Sequence, residues 1–217
     1  MDSVSGLHLL GCCPMMSALL ACRSTVKTND VLGLFESAGA YLRGHFLLTS
    51  GLHSDVYFEK FALLSQPDVL STLVGGLAAQ YKDAKIDTVV GPTVGGIIIA
   101  FELARQLGCR AVYAEAEGDK RVLKRGFSLS EGERVLVCDD ILTTGRSVLE
   151  VVEMVEGYGA HIVGVALLLD RSGGETTFRY PLHTLASVKA LTFQPADCPL
   201  CKNGIELTKR GSRASVG

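Results

Sequence analysis

Apolar residues along the chain fall into runs of two kinds. Short continuous apolar runs that end in glycine or acidic residues indicate parallel strands, because such strands are covered on both faces. Amphipathic stretches with helical spacing lie between them. The pattern predicts strands at 86–90, 110–115, 135–138, 162–169 and 185–191, and helices at 67–81, 97–107 and 148–158. This alternation predicts an α/β protein with a mainly parallel central sheet flanked by helices.

The segment before the first of these strands has a different pattern. Residues 28–30 are cap candidates for a helix that Gly39 closes. Two short apolar runs, 46–48 and 56–58, lie on either side of a Ser50–Gly51 turn, which predicts a strand hairpin. We expect one domain over residues 25–217, with a small N-terminal hood at about 28–65, a core at about 66–195 and a C-terminal tail.

Residues 1–24 are apolar and rich in Cys and Met, without helical or strand periodicity. A secretory signal is one interpretation, and Leu9–Cys12 resembles a short lipoprotein cleavage site. Against it, this stretch begins with Asp2 where such signals carry basic residues. We interpret the segment as a poorly ordered extension, with Met15 and Met16 as alternative starts.

Composition excludes several classes of protein. Of 217 residues, 47% are hydrophobic and 20% are charged, as in globular proteins. The net charge of −2 gives no electrostatic reason to expect a nucleic-acid partner, and no apolar run is long enough to cross a bilayer. The seven cysteines are scattered, which favours a reducing compartment over a disulfide framework. We expect a cytoplasmic protein that binds neither nucleic acid nor membrane.

Candidate chemistry is concentrated at the end of the 135–138 strand. The residues concerned are Asp139, Asp140, Ile141, Leu142, Thr143, Thr144, Gly145, Arg146 and Ser147. Free backbone N–H groups and the dipole at the start of a helix favour a bound phosphate. Like charge would repel the acid pair from that phosphate, so the acids suit sugar hydroxyls or a divalent cation. The stretch predicts a phosphorylated sugar as ligand; ordinary strand-end acids and a helix cap are the alternative.

Three further features are candidates for binding anions. The glycine turn at 91–96 allows backbone N–H groups to approach a pyrophosphate, although a tight packing turn explains it equally well. A glycine-flanked basic segment forms a mobile polar loop or a solvated hairpin, and its cations are Lys120, Arg121, Lys124 and Arg125. Arg171 follows a central strand, where ligands of open α/β sheets bind. Its guanidinium suits a planar anion, or else an ion pair with Asp170 or Glu175.

Residues 135–147 resemble the phosphoribosyl-diphosphate (PRPP) loop of type I phosphoribosyltransferases. The family pattern has four apolar residues, two acids, two apolar residues and then Thr-Thr/Ala-Gly, and every position is matched. The resemblance implies the type I phosphoribosyltransferase fold, with PRPP bound by residues 139–147. It also implies Mg²⁺ carried on PRPP, near Asp139 and Asp140.

The Leu48–Gly51 turn and the aromatic pair after it resemble the hood of orotate phosphoribosyltransferases, and Arg171 matches an arginine of that family. The resemblance implies that Tyr57 and Phe58 lie against the pyrimidine, that Arg171 contacts orotate, and that Thr143 touches the base. Core packing is the alternative for the two aromatic residues.

The resemblance further implies that the basic segment closes over pyrophosphate and reaches the neighbouring subunit's site, so a homodimer is expected. The implied reaction joins orotate to PRPP, giving orotidine 5′-monophosphate and pyrophosphate in pyrimidine biosynthesis. A purine-base transferase remains an alternative, although Arg171 would then meet no anion. The second alternative is a non-catalytic regulator that senses PRPP on the same fold.

Several positions depart from the family pattern. Thr49, Gly95 and Ala116 stand where relatives often carry a cation, which leaves those contacts in doubt. The tail carries one Cys-x-x-Cys pair, Cys198 and Cys201. A closed zinc site needs about four ligands, and no second pair has suitable spacing. We therefore favour two thiols in a turn, with metal binding across a dimer as the alternative.

Overall fold

The computed structural model describes residues 28–210, so the predicted extension at 1–24 lies outside the described residues. The helices are α1 (Thr28–Ser37), α2 (Lys60–Leu64), α3 (Pro67–Tyr81), α4 (Gly95–Leu107), α5 (Arg146–Gly157) and α6 (Pro199–Lys202). The strands are β1 (Tyr41–Leu47), β2 (His53–Phe58), β3 (Thr88–Pro92), β4 (Arg110–Glu117), β5 (Lys120–Leu123), β6 (Arg134–Leu142), β7 (His161–Asp170), β8 (Leu182–Ser187), β9 (Thr192–Phe193) and β10 (Thr208–Lys209).

A six-stranded sheet with the order β5-β4-β3-β6-β7-β8 forms the centre of the molecule. All its neighbouring pairs are parallel except β4 with β5, which is an antiparallel hairpin at one edge. The predicted mainly parallel sheet is therefore confirmed. The basic segment predicted as a mobile loop or ribbon forms this edge hairpin.

Helices cover both faces of the sheet. Helices α1, α3 and α4 contribute to one apolar cluster, and α5 contributes to the other. Along β6, Leu136 and Cys138 belong to the first cluster and Val135 and Val137 to the second, and all four are fully buried. This burial on both faces explains why the run is continuously apolar.

The hood is a second sheet with the order β10-β1-β2-β9. Strands β1 and β2 form the predicted hairpin, β9 pairs antiparallel with β2, and β10 pairs parallel with β1. The hood therefore contains segments from both ends of the described chain. The strand expected at 185–191 lies at Leu182–Ser187 instead, and the chain then passes to the hood. Within residues 28–210, no helix has the length and apolar character needed to cross a membrane.

Candidate active site

Asp139 and Asp140 lie at the carboxyl end of β6, on the central strand of the sheet. The strand extends further than its apolar run and includes both acids, which are 8% and 3% exposed. The backbone N–H of Asp140 donates to Asp139 Oδ1 at 2.9 Å, and the N–H of Ile141 donates to Asp140 Oδ1 at 2.7 Å. These bonds orient the two carboxylates and leave each with a second oxygen for a ligand.

Lys60, the first residue of α2, places its Nζ 3.0 Å from Asp140 Oδ2. The contact is an ion pair whose angle does not complete a hydrogen bond, so this buried oxygen has no hydrogen-bond partner among residues 28–210. Such an oxygen is suited to accept a ligand hydroxyl or to bind a cation. Sequence reasoning missed Lys60. Its signal was a lysine two residues after the aromatic pair.

Burial and the adjacent Asp140 carboxylate raise the pKa of Asp139 well above its usual range. The N–H of Asp140 and the cations of Lys60 and Arg121 partly oppose that rise. Two carboxylates held side by side in a buried site repel each other, because water does not screen them. The acid pair therefore lowers the stability of the free protein, and a bound cation or a donating hydroxyl would relieve that cost.

Replacing Asp139 with Asn should stabilise the fold in a pH-dependent way. The folded-state pKa of Asp139 is raised, so the parent loses stability as pH rises from the unfolded value of about 4 through the folded one. Asn keeps an oxygen for the Asp140 N–H and carries no charge. We expect a gain on the order of 1 kcal/mol at pH 8 that shrinks towards pH 5, measured by urea unfolding at both values. An equal gain in unfolding free energy at pH 5 and pH 8 would contradict a raised pKa for Asp139.

Gly145 and the first turn of α5 make up the segment that the sequence predicts to bind phosphate. Gly145 precedes the helix with φ of 77°, and a Cβ there would lie 2.9 Å from Thr176 Cγ2, so glycine is required. The first N–H groups of a helix have no carbonyl partner within it. Thr143 and Thr144 are exposed beside them.

Not every residue of the predicted PRPP loop can offer its side chain to a ligand. Leu142 is 1% exposed and Ile141 packs partly buried against a core cluster. Leu142 can therefore offer a ligand only its backbone atoms. Arg146 is exposed and forms ion pairs with Glu150 at 2.7 Å and Asp119 at 3.4 Å, and Ser147 is half-buried.

The glycine turn after β3 packs directly against the acid pair. A Cβ on Gly95 would overlap Asp140 Oδ2, and one on Gly96 would lie 2.6 Å from Pro92 Cδ. The backbone of the turn can approach Asp140 only because these side chains are absent. Gly95 therefore packs too closely against Asp140 to carry the side chain that relatives have there. The ammonium of Lys60 contacts the same carboxylate.

The structure brings Arg171 close to the aromatic pair of the hood. The Arg171 guanidinium lies 5.6 Å from the centre of the Phe58 ring, and the pKa of half-buried Tyr57 is raised by burial and by Glu59. Phe58 is 7% exposed and stacks on Tyr41 at 4.9 Å. Phe58 is therefore packed in the core, as the alternative interpretation has it, and its ring also contacts the Arg171 guanidinium.

Arg171 has no ion-pair partner among residues 28–210. The alternative partners are engaged elsewhere: Glu175 pairs with Lys189 at 3.0 Å, and Asp170 accepts hydrogen bonds from Ser172, Gly174 and Ser187. Burial lowers the pKa of Arg171, as expected for a desolvated cation without a counter-ion. Its backbone N–H donates to Leu142 O at 2.9 Å, which attaches it to the PRPP-type loop.

Arg121, one of the four cations of the basic hairpin, contacts two other elements of the site. Its Nη1 donates to Thr93 Oγ1 at 3.1 Å and its Nε to Glu150 Oε2 at 3.2 Å. It therefore connects the glycine turn after β3 with α5.

The other three predicted cations of the hairpin are more exposed. Lys124 pairs with Glu117 at 2.8 Å and Arg125 with Glu115 at 2.9 Å. Lys120 is exposed at the start of β5 and forms no ion pair within the described part of the chain.

Comparison with known proteins agrees with this arrangement. Residues 66–189 match the phosphoribosyl transferase domain family. The orotate phosphoribosyltransferase of Caldicellulosiruptor bescii is 46% identical over 188 residues, which cover 87% of this chain and 99% of that protein. That of Chlorobaculum parvum is 41% identical over 191 residues, covering 88% and 99%.

The chain belongs to the orotate phosphoribosyltransferase family. The orotate phosphoribosyltransferase of Aeropyrum pernix has a TM-score of 0.62 at 28% identity and covers 73% of this chain and 94% of its own. The adenine phosphoribosyltransferase of Trypanosoma brucei has a TM-score of 0.56 at 18% identity, covering 71% and 79%. The second likeness shows the fold alone. The predicted family and fold are confirmed.

Proposed function

We propose that this chain transfers the ribose 5-phosphate of PRPP to orotate, giving orotidine 5′-monophosphate and pyrophosphate in pyrimidine biosynthesis. The observation that carries the choice of base is Arg171, a half-buried cation beside Tyr57 and Phe58 that has no ion-pair partner among residues 28–210. Orotate has a carboxylate for that guanidinium, which can bind it through two parallel hydrogen bonds. A purine base has no such group, and this disfavours the purine-base alternative.

PRPP occupies the loop between β6 and α5 in this proposal. The α5 N-terminus with Thr143, Thr144 and Ser147 binds the 5′-phosphate, and Asp139 and Asp140 accept hydrogen bonds from the ribose hydroxyls. Arg171 is joined to the same loop through Leu142 O, so the two substrates meet at one edge of the sheet. Holding both in a fixed geometry is the main contribution to rate.

The reaction forms a bond between a pyrimidine nitrogen and the anomeric carbon as the bond to pyrophosphate breaks. No nucleophilic side chain is required. Asp139 and Asp140 would hold Mg²⁺ carried on PRPP, since their carboxylate oxygens, including Asp140 Oδ2, which accepts no hydrogen bond from residues 28–210, suit a hard cation. When bound, it neutralises charge on the leaving group.

The pyrophosphate leaves towards the basic hairpin in this proposal. Arg121, already in contact with the glycine turn, is the nearest of its four cations, and Lys120, Lys124 and Arg125 supply further positive charge. The family's arrangement assigns part of that charge to a neighbouring subunit, so we propose a homodimer. We also propose that it acts in the cytoplasm.

The proposal is tested by following base absorbance with PRPP and Mg²⁺ in separate reactions with orotate, adenine, guanine and hypoxanthine. Consumption of orotate alone is the expected result. Consumption of a purine would support the purine-base transferase. No consumption of any base, together with PRPP binding by calorimetry, would support the non-catalytic regulator and contradict an enzymatic role.

Replacing Lys60 with Met should lower kcat/KM for PRPP by about tenfold, because Asp140 loses its ammonium partner and the site loses a cation. Steady-state kinetics with PRPP varied at saturating orotate measures the effect. Lys82→Met is the matched control, because Lys82 is 57% exposed and pairs only with the exposed Asp83. An equal loss in both variants would remove Lys60 from the site.

A further inference from the structure

Four metal-ligating side chains converge where the tail meets the hood. His45 lies on β1 and His53 begins β2, while Cys198 and Cys201 lie at the start of α6. The ligand atoms of all four lie within 4.8 Å of one another. Two further candidate ligands, which the spacing of the sequence did not reveal, therefore lie beside the two thiols. The two histidines lie some 150 residues before the cysteines, too far for a spacing motif to connect them.

The distances within this cluster fit one small cation. His45 Nε2 and His53 Nδ1 are 2.9 Å apart, Cys198 Sγ lies 3.4 Å from His45 Nε2, and Cys201 Sγ lies 3.3 Å from His53 Nδ1. Zinc–nitrogen bonds of about 2.0–2.1 Å and zinc–sulfur bonds of about 2.3 Å place neighbouring ligand atoms at separations of this order. Three of the four residues are buried, and Cys201 lies at the surface.

Hydrogen bonding fixes one of the ligands in its metal-binding form. His45 Nδ1 lies 2.8 Å from the carbonyl oxygen of Ile205, and a carbonyl can only accept. Nδ1 therefore carries a proton, so the nitrogen left to bind a metal is Nε2, which faces the cluster. A carbonyl that binds the second nitrogen is the usual support of a metal-binding histidine.

The tail has little else to hold it in place. Among residues 191–210 only Cys198 is buried, and Leu191, Ile205 and Leu207 are 54%, 46% and 40% exposed. Strands β9 and β10 are two residues each. One buried side chain and four residue pairs in the sheet hold a segment of this length only weakly. A metal ion bound by the tail and the hood together would supply a stronger attachment.

We propose that His45, His53, Cys198 and Cys201 bind one Zn²⁺ ion, which fastens the tail to the hood. Two imidazole nitrogens and two thiolates in a tetrahedral arrangement are a zinc ligand set, and a Cys-x-x-Cys turn is its usual cysteine half. Four protein ligands leave no open position, so the site is structural and takes no part in the transfer reaction. The hood strand that begins at His53 ends at Phe58, so the ion also steadies the base-binding wall.

The first test is the metal content of the full chain, purified under reducing conditions without a polyhistidine tag. Mass spectrometry of the metals should find about one zinc per chain. Cys198→Ser/Cys201→Ser should lose the zinc, and Cys109→Ser should keep it, because Cys109 lies outside the cluster. Chelation should lower the melting temperature of the parent and leave that of the double variant unchanged.

A second test does not require any variant to fold. The parent chain, stripped by a chelator and titrated with Co²⁺, should develop thiolate-to-cobalt charge transfer and intense tetrahedral ligand-field bands that Zn²⁺ abolishes. The proposal is overturned if the parent binds neither ion, if it carries iron instead, or if Cys198 and Cys201 form a disulfide that persists under reduction. These outcomes are independent of the orotate assay.

Discussion

Replacing Arg171 with Gln should lower kcat/KM for orotate by about two to three orders of magnitude, which corresponds to about 3–4 kcal/mol. The parent guanidinium is half-buried, lies 5.6 Å from the Phe58 ring and has no ion-pair partner among residues 28–210. Its charge is therefore available to a ligand carboxylate. The amide of Gln can donate one neutral hydrogen bond in its place, so most of that interaction is lost.

Kinetics with orotate and uracil as alternative bases separates this role from general damage. Uracil lacks the carboxylate, so Arg171→Gln should narrow the preference for orotate over uracil and leave the KM for PRPP near the parental value. Arg171→Lys should retain part of the preference, because an ammonium is charged but cannot bind a carboxylate bidentately. Arg179→Gln is the control, since Arg179 is 67% exposed and pairs with Glu156. An unchanged preference in Arg171→Gln would refute the assignment.

Replacing Gly95 with Ala should lower kcat/KM for PRPP by about a hundredfold, because small misplacements of catalytic groups have costs of that size. The new Cβ would overlap Asp140 Oδ2, and its next contacts are Asp140 Cγ at 3.1 Å and Leu64 Cδ1 at 3.3 Å. Either the carboxylate or the turn has to move. Both are parts of the proposed PRPP site, so PRPP should be affected more than orotate.

The matched control for this change is Gly33→Ala, at an exposed position within α1 where a Cβ meets nothing within 4 Å. It should keep full activity and gain up to about 1 kcal/mol from improved helix propensity. Thermal unfolding of both variants would distinguish misfolding from a local effect. If Gly95→Ala kept the parental kcat/KM for PRPP, the turn must have shifted without displacing the Asp140 carboxylate.

Local pattern was sufficient for much of the fold. The run from Val135 to Cys138 predicted a strand covered on both faces, and the acids after it lie where expected. Arg171 was predicted at the ligand-binding edge of the sheet, because the carboxyl ends of parallel strands share one edge. Each of these inferences used a short window of sequence or one general rule of sheets.

What the sequence could not reveal depends on contacts between distant segments. Lys60 belongs to the site because its ammonium contacts Asp140, which lies far along the chain, and its position after the aromatic pair did not by itself reveal that contact. The sequence shows only that Gly95 lacks the cation that relatives often carry. The packing of the turn against Asp140 explains why glycine is needed at this position. The ligand set of the tail was missed because its histidines lie in the hood hairpin.

The hood contains strands from both ends of the described chain, and this affects the order in which the parts of the protein fold during synthesis. His45 contacts a carbonyl 160 residues further along the chain, and β9 and β10 complete the sheet that β1 and β2 begin. A nascent chain can assemble the central sheet while the last segment is still within the ribosome, but the hood must wait for it. The proposed orotate-binding wall should therefore be the last part of the site to form, because the hood strands pair over a long chain separation, which makes this a slow step of folding.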